Sequence, residues 1–508
     1  MPQDDIQRQQ QAPQPRLDTD PVSATGIAGL DDILCGGLTP NRLYLIEGVP
    51  GSGKTTLALQ FLLHGAKQGE SVLYVTLSET DEELRAMARS HDWNMEGVTI
   101  RELVPPEESL QPAEQYTMFH PAEVELSETT RTILADVERL KPARVVFDSL
   151  SELRLLAGDA LRYRRQLLAL KQFFRGRRCT VLLLDDLTSP GRDLQVQSIA
   201  HGVLLLEQLS PEYGSDRRRL RVIKHRGRRF RGGYHDYLVQ QGGLRVFPRL
   251  VASEHRKAHV PERLGSGLES LDSLLGGGLE RGTSSLFVGA AGTGKSSLAA
   301  QFAAAAAGRG QRAALFLFDE GRHTLLSRTD GLGIPLRKHV DSGSVTIRQI
   351  DPAELTPGEF AHDIRSEVEE RGTAVVVIDS LNGYLNAMPG ESYLIVHLHE
   401  LLMYLGERNV ATVLIGTHQG MIGTSMRTPV DASYLADALV MLRYFESQGA
   451  VRQAISVVKK RGGDHERTIR EFSLGATGIV VGRPLREFRG VLTGVPILEA
   501  GPREPERP

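Results

Sequence analysis

Short, uninterrupted apolar runs alternate with longer helix-type segments along most of this chain. RLYLIEG leads into a glycine-rich stretch and then into TTLALQFLLHGAKQG, which reads as a helix. SVLYVTL, the charged helix TDEELRAMARS, and later ARVVFDS and TVLLLDD follow in order. Further on, SSLFVGA, RAALFLF, TAVVVIDS and ATVLIGT fill the same places. Runs of this kind, without polar alternation, suit strands buried on both faces, and helices between them make the strands parallel. The pattern predicts an α/β fold built on mostly parallel sheets flanked by helices. RLRVIKHRG and RQAISVVKKRG look instead like antiparallel strands that close each sheet's edge.

The pattern occurs twice because the chain repeats itself. The segment from Gly29 to Phe61 has a counterpart from Ser270 to Phe302, and the pairs Leu30/Leu271, Gly48/Gly289, Lys54/Lys295 and Glu79/Glu320 are all offset by 241 positions. A later pair, Asp148 and Asp379, is offset by 231, so the intervening segment is ten residues shorter in the second copy. Lys224/Arg226 and Lys459/Arg461 recur at 235. The segment 248 to 262, PRLVASEHRKAHVPE, lacks a hydrophobic period and marks the junction. The expected organisation is a flexible tail over 1–20, one domain over 21–254, a second over 255–489, and a short tail over 490–508.

Composition narrows the class. With 60 Lys and Arg against 63 Asp and Glu, the net charge is −3, which disfavours bulk nucleic-acid coating. A basic block, RRRLRVIKHRGRRFR at 217 to 231, keeps nucleic acid as a minor alternative. No apolar run reaches the roughly eighteen residues that span a bilayer, and the polar start resembles no signal peptide. Cys35 and Cys179 are too few for a disulfide framework or a zinc site. A cytoplasmic location is the expectation.

The candidate chemistry centres on two glycine-rich loops. Gly48-Val49-Pro50-Gly51-Ser52-Gly53-Lys54-Thr55 and Gly289-Ala290-Ala291-Gly292-Thr293-Gly294-Lys295-Ser296 both match G-x-x-x-x-G-K-[ST] in full. Glycines let successive backbone N–H groups turn toward phosphate oxygens, and the helix that follows adds its positive end. Lys54 and Lys295 should reach the β- and γ-phosphates of ATP, and Thr55 and Ser296 should hold Mg²⁺. Thr56 and Ser297, the next residues, complete the expected nucleotide-binding set. Asp148 and Asp379 each end an apolar strand and are read as the second metal-holding group, although a strand-end Asp can also cap a helix. Glu79 and Glu320, each 25 residues after its loop lysine, are the candidates for handling the attacking water; capping the next helix is the alternative. Lys224, Arg226, Lys459 and Arg461 follow the closing strands. They suit an arginine-finger role toward a neighbouring subunit, a nucleic-acid contact, or a solvated sheet edge.

Taken together, these residues resemble the KaiC family of RecA-superfamily ATPases. The doubled loops carry the resemblance with GLDDILCGGL, SLDSLLGGGL, VTLSET at 75 to 80 and VVKKRGGDHERTIREF at 457 to 472, and it spans roughly residues 22 to 490. It implies two tandem RecA-like P-loop domains in a double-ring homohexamer with ATP between subunits. It also implies slow hydrolysis in the N-terminal ring and autokinase and phosphatase chemistry in the C-terminal one, with unidentified signalling proteins as partners. Where the family has tandem glutamates, this chain has Ser78-Glu79 and Asp319-Glu320. The resemblance thus assigns catalysis to Glu79 and Glu320 with Asp319 in support, and gives Lys224, Arg226, Lys459 and Arg461 the neighbour's nucleotide. Clock-type members phosphorylate an adjacent Ser and Thr; the matching places here are Ser433 and Tyr434, so one acceptor remains and a two-site cycle does not follow. Two other functions stay open: a nucleotide-gated assembly scaffold with little catalysis, and a DNA-dependent RecA-like ATPase.

Overall fold

The computed structural model describes residues 21–103, 121–187, 194–255, 262–386, 393–417, 434–491 and 497–498. The chain divides into two compact units, the first ending at Arg249 and the second beginning at Leu250, with Pro211–Ser215 grouped with the second.

In the first unit the elements run α1 (Ala28–Ile33), β1 (Leu43–Gly48), α2 (Lys54–Lys67), β2 (Val72–Thr76), α3 (Asp81–Ser90), β3 (Val98–Glu102), α4 (Pro121–Leu140) and β4 (Arg144–Asp148). Then come α5 (Leu150–Ala157), α6 (Ala160–Phe174), β5 (Thr180–Asp186), α7 (Leu194–Ile199), β6 (Gly202–Leu209), β7 (Arg217–His225), β8 (His235–Gln240) and β9 (Gly243–Phe247). They form one nine-stranded sheet in the order β3-β2-β4-β5-β1-β6-β7-β8-β9. The first six strands in that order are parallel, and β7 to β9 close the edge as antiparallel strands.

The apolar runs become strands because successive side chains point to opposite faces and both faces are covered. Tyr44, Ile46, Tyr74, Val146, Leu182 and Leu184 enter one core, on the side of α2. Their neighbours Leu45, Leu73, Val75, Val145, Phe147 and Leu183 enter the other, with α5 and α6. Phe61 of α2 is fully buried in the first core, so cutting it to Ala would cost about 3–5 kcal/mol. The guanidinium of Arg144 lies 4.6 Å from the centroid of the Phe61 ring, and its nitrogens donate to Glu70 and to the carbonyls of Ala24 (2.7 Å) and Phe61 (2.9 Å). That is how a strand can begin with a fully buried arginine.

The second unit repeats this plan. Its elements are β10 (Arg263–Leu264), α8 (Glu269–Leu274), β11 (Leu279–Glu280), β12 (Ser284–Gly289), α9 (Lys295–Gly308), β13 (Arg312–Leu317), α10 (Arg322–Gly331), α11 (Leu336–Asp341) and β14 (Val345–Gln349). They continue as α12 (Pro357–Glu369), β15 (Thr373–Asp379), α13 (Leu381–Asn386), α14 (Leu394–Glu407), β16 (Ala411–Thr417), β17 (Ala438–Ser447), β18 (Ala450–Lys460), β19 (Arg470–Gly475) and β20 (Gly478–Pro484). The sheet order, β14-β13-β15-β16-β12-β17-β18-β19-β20, matches the first strand for strand. The helix after the loop is alanine-rich, and Ala300, Ala303 and Ala304 are buried where α2 has Leu59, Leu62 and Leu63. Beyond this sheet Phe488–Arg489 pair with Ile497–Leu498, so part of the stretch expected as a tail is in a strand pairing.

Candidate functional site

Each phosphate loop leaves the carboxyl end of a strand inside the sheet, where α/β folds bind ligands. In the first lobe Gly51 and Gly53 have φ of 81° and 89°; in the second, Gly292 and Gly294 have 79° and 94°. Those are left-handed angles that side-chain-bearing residues resist, which is why the spacing of glycines is fixed. A Cβ at Gly48 would lie 2.5 Å from the Ser52 hydroxyl, and one at Gly289 would lie 2.4 Å from the Leu442 carbonyl. Gly53 and Gly294 are the N-caps of α2 and α9, and no side chain caps either helix, so the first-turn N–H groups face the loop.

The loop lysines are buried. Lys54 donates to the carbonyls of Gly48 (2.9 Å) and Val49 (3.0 Å), and Lys295 to those of Gly289 (2.9 Å) and Ala290 (2.7 Å). Beyond this the lobes part. Parallel pairing sets Gly48 opposite Asp186 but Gly289 opposite Thr417. Lys54 therefore has a carboxylate 2.6 Å away. Lys295 has no such partner at that position, and burial pushes its ammonium down to about 8 against the pull of Asp379.

The strand-end acids come in by the same pairing logic. Asp148 lies opposite Thr76, and Asp379 opposite Leu317. Neither acid caps the helix that follows it: α5 is preceded by Ser149, and Asp148 instead accepts from Thr55 (3.1 Å) and from the buried Tyr74 hydroxyl. Asp379 is hydrogen-bonded by Ser296. Burial raises both carboxyls above the usual range, more than the hydroxyl donors lower them. In both lobes the peptide after this Asp is cis. A buried carboxylate beside a hydroxyl offers oxygen donors that suit Mg²⁺, and a cation there would relieve the cost of burying the charge.

Glu79 and Glu320 each sit one residue before the N-cap of the next helix, and neither caps it. The caps are Thr80, in a capping box with Glu83, and Gly321. The turn at Glu79 is pinned because Thr76 Oγ1 accepts from the Glu79 N–H (2.9 Å) and donates to its carbonyl (2.8 Å). Its carboxylate is half-buried, and Oε2 has no hydrogen-bond partner among the described residues. Burial first, then the charges of Asp148, Glu83 and Asp186, push Glu79 up to about 7. Glu320 is held differently: Arg328 of α10 grips both its oxygens, at 2.5 and 2.8 Å. Asp319 accepts from the Ser380 hydroxyl, which in turn accepts from the Gly383 N–H at 3.0 Å.

The basic residues of the closing strands are not brought to their own loops. Lys224 pairs with Val203, itself opposite Leu45, three residues back along the strand from Gly48, about 10 Å away along the sheet. Lys459 bears the same relation to Leu286 and Gly289. Lys224 and Arg226 bond the carbonyls of Gln197 and Ser198 at the end of α7. Lys459 bonds the Ala436 carbonyl (2.8 Å), and Arg461 bonds the Tyr434 carbonyl (3.0 Å) and Asp437 (3.3 Å). Much of the basic block is matched within its lobe: Arg219 pairs with Glu207 (2.8 Å), Arg231 with Asp32 (3.1 Å), and Arg219 and Arg221 stack over Tyr234. Ser433 lies outside the described residues.

Asp186 and Arg328 went unread in the sequence. Asp186 left a signal, since TVLLLDD ends in acids on the strand that neighbours the loop strand. Arg328 left one too: the repeat offset sets it against Met87.

The KaiC ATPase family model matches residues 23–251 and again 264–486. The chain is 27% identical to the circadian clock protein KaiC3 of Synechocystis sp., over 94% of each chain. It is 27% identical to the circadian clock oscillator protein KaiC of Picosynechococcus sp., covering 93% of this chain and 92% of that one. The protein of that name from Parathermosynechococcus lividus is 26% identical, with 94% and 88% covered. Among the described residues no helix is long and apolar enough to cross a membrane.

Proposed function

The chain belongs to the KaiC family of ATPases, and from that premise we propose that its first lobe hydrolyses ATP while its second lobe holds ATP for transfer to a serine. The observation that carries this reading is the contrast between Glu79, with a buried carboxylate oxygen that lacks a hydrogen-bond partner, and Glu320, with both oxygens bonded to Arg328. In the first lobe the loop amides and Lys54 seat the triphosphate, with Lys54 exchanging Asp186 for phosphate oxygens. Water attacks the γ-phosphorus, Glu79 takes its proton, and ADP leaves. A carboxylate with pKa about 7 is matched to that task at neutral pH. Thr55 with Asp148, and Ser296 with Asp379, would hold Mg²⁺, which would neutralise charge on the phosphates.

A lobe that binds ATP but restrains its water-handling acid keeps the γ-phosphoryl group for another acceptor. Family resemblance supplies Ser433 as that acceptor. It also supplies the ring-shaped hexamer, in which Lys224, Arg226, Lys459 and Arg461 would meet a neighbour's nucleotide. The register that sets Lys224 and Lys459 three residues back from their own loops supports this, as do the bonds that hold all four side chains to other groups of their own lobe. The ion pairs of Arg219 and Arg231 within their own lobe weigh against DNA-dependent action.

Calorimetry should count two ATP molecules per chain, and γ-labelled ATP should mark the protein unless Ser433 is changed to Ala. Absence of ATP uptake would overturn the whole reading. Label that persists in Ser433→Ala, or that never appears, would overturn the transfer half. Function that survives Glu79→Gln while ATP still drives assembly would favour a scaffold.

A further inference from the structure

We infer that Arg328 is a latch on the second lobe: by gripping Glu320 it keeps that lobe from spending its ATP on water. The inference rests on the reading that both lobes bind ATP. Its basis is a paired difference inside one molecule. The sheets have the same strand order and the loops the same motif, yet the carboxylate that follows the second strand is treated in opposite ways.

Arg328 sits in the last turn of α10, and its two terminal nitrogens meet the two oxygens of Glu320 side by side. This fork geometry is the strongest form of a charged pair and fixes orientation as well as distance. A third bond runs from Arg328 Nε to the Ser297 hydroxyl (3.1 Å), in the first turn of α9. The latch thus ties the acid to the helix that receives the phosphates. In the first lobe the same register places Met87, which has no charge to offer, and Glu79 keeps an oxygen without a hydrogen-bond partner.

Hydrolysis needs a carboxylate lone pair aimed at water. In that step the water oxygen bonds to the γ-phosphorus, and the bond from that phosphorus to the β,γ-bridging oxygen breaks. ADP leaves with the electron pair, and the water's proton goes to the carboxylate. Arg328 takes one lone pair on each Glu320 oxygen and fixes where the carboxylate points, so the acid is not free to turn toward the water. The pair is partly exposed, with Arg328 36% and Glu320 17% accessible, so it opens at modest cost. Arg328 is therefore a positioning residue that slows the step, and its removal should speed it by about fivefold.

The test uses the full-length Lys54→Ala chain, in which ATP occupies only the second lobe. There Arg328→Met, which copies the first lobe, should raise kcat for phosphate release about fivefold with KM for ATP unchanged. Arg328→Lys, which keeps the charge but loses the fork, should give a smaller rise. Adding Glu320→Gln to Arg328→Met should cancel the gain. Conversely, Met87→Arg in a Lys295→Ala chain should lower kcat and spare KM. An unchanged rate in Arg328→Met while calorimetry still detects bound ATP would overturn the latch, as would a gain that survives Glu320→Gln. No ATP uptake by the Lys54→Ala chain would instead overturn the reading on which the latch depends.

Discussion

The two lobes carry the same loop on the same sheet, and they differ in what surrounds the phosphates. In the first, β5 ends in Asp185-Asp186, the loop lysine has a carboxylate partner, and a buried Glu79 oxygen lacks a hydrogen-bond partner. In the second, β16 ends in Gly416-Thr417, the loop lysine is buried without that partner, and Glu320 is clasped by Arg328. The motif confers nucleotide binding on both. On the proposed reading, what each lobe does with its ATP is set by a few side chains that no nucleotide-binding motif contains.

Loop variants give the widest separation. Lys54→Ala should lower steady-state phosphate release about a hundredfold by removing the hydrolytic site. Lys295→Ala should change it less than about twofold, although each variant should lose one of two bound nucleotides by calorimetry. Equal losses of activity would erase the distinction between the lobes.

Next in size is the pH response. Glu79 works as a base only when ionised, and its pKa is about 7. Hydrolysis should therefore fall about twentyfold between pH 7.5 and 5.5 in a Lys295→Ala chain. A flat profile of kcat over that range would remove Glu79 from the proton transfer.

A smaller effect is on stability. The folded pKa of Glu79 is raised above the ordinary glutamate value of 4.5, so above that value the unfolded chain releases a proton that the folded chain still holds. Stability from this group is then lost as pH rises from about 4.5 through 7. Glu79→Gln abolishes that loss. At pH 8 and without nucleotide it should stabilise the first lobe by about 1 kcal/mol once solvent screening of a half-exposed group is allowed for. Denaturant melts at pH 8 and pH 5 check this, because the gain should shrink to about a quarter at the lower pH.

The phosphate loops were legible because everything that defines them is local: glycines at left-handed positions, a lysine, and a hydroxyl at the helix start. The sheets were legible too, since strands covered on both faces must be apolar throughout, as VLYVT and AVVVI are. Asp148 and Asp379 could be read because each closes such a run. Asp186 could not be weighed, because only the pairing of β1 with β5 sets it opposite Gly48 across 138 positions of sequence. The grip of Arg328 on Glu320 was hidden for a different reason. An eight-residue separation does not fix whether two side chains meet, since that depends on how α10 leaves the turn after β13. The partners of the basic block were hidden in the same way, because Glu207, Asp32 and Tyr234 meet Arg219 and Arg231 only once the strands are paired.

The most direct test of the contrast sets Glu79→Gln beside Glu320→Gln and measures steady-state phosphate release from each at pH 7.5 with saturating ATP and Mg²⁺. Glu79→Gln should lose about a hundredfold, as expected when a general base is removed, and Glu320→Gln should stay within about twofold of the parent. A large loss in Glu320→Gln, or little change in Glu79→Gln, would contradict the assignment of hydrolysis to the first lobe.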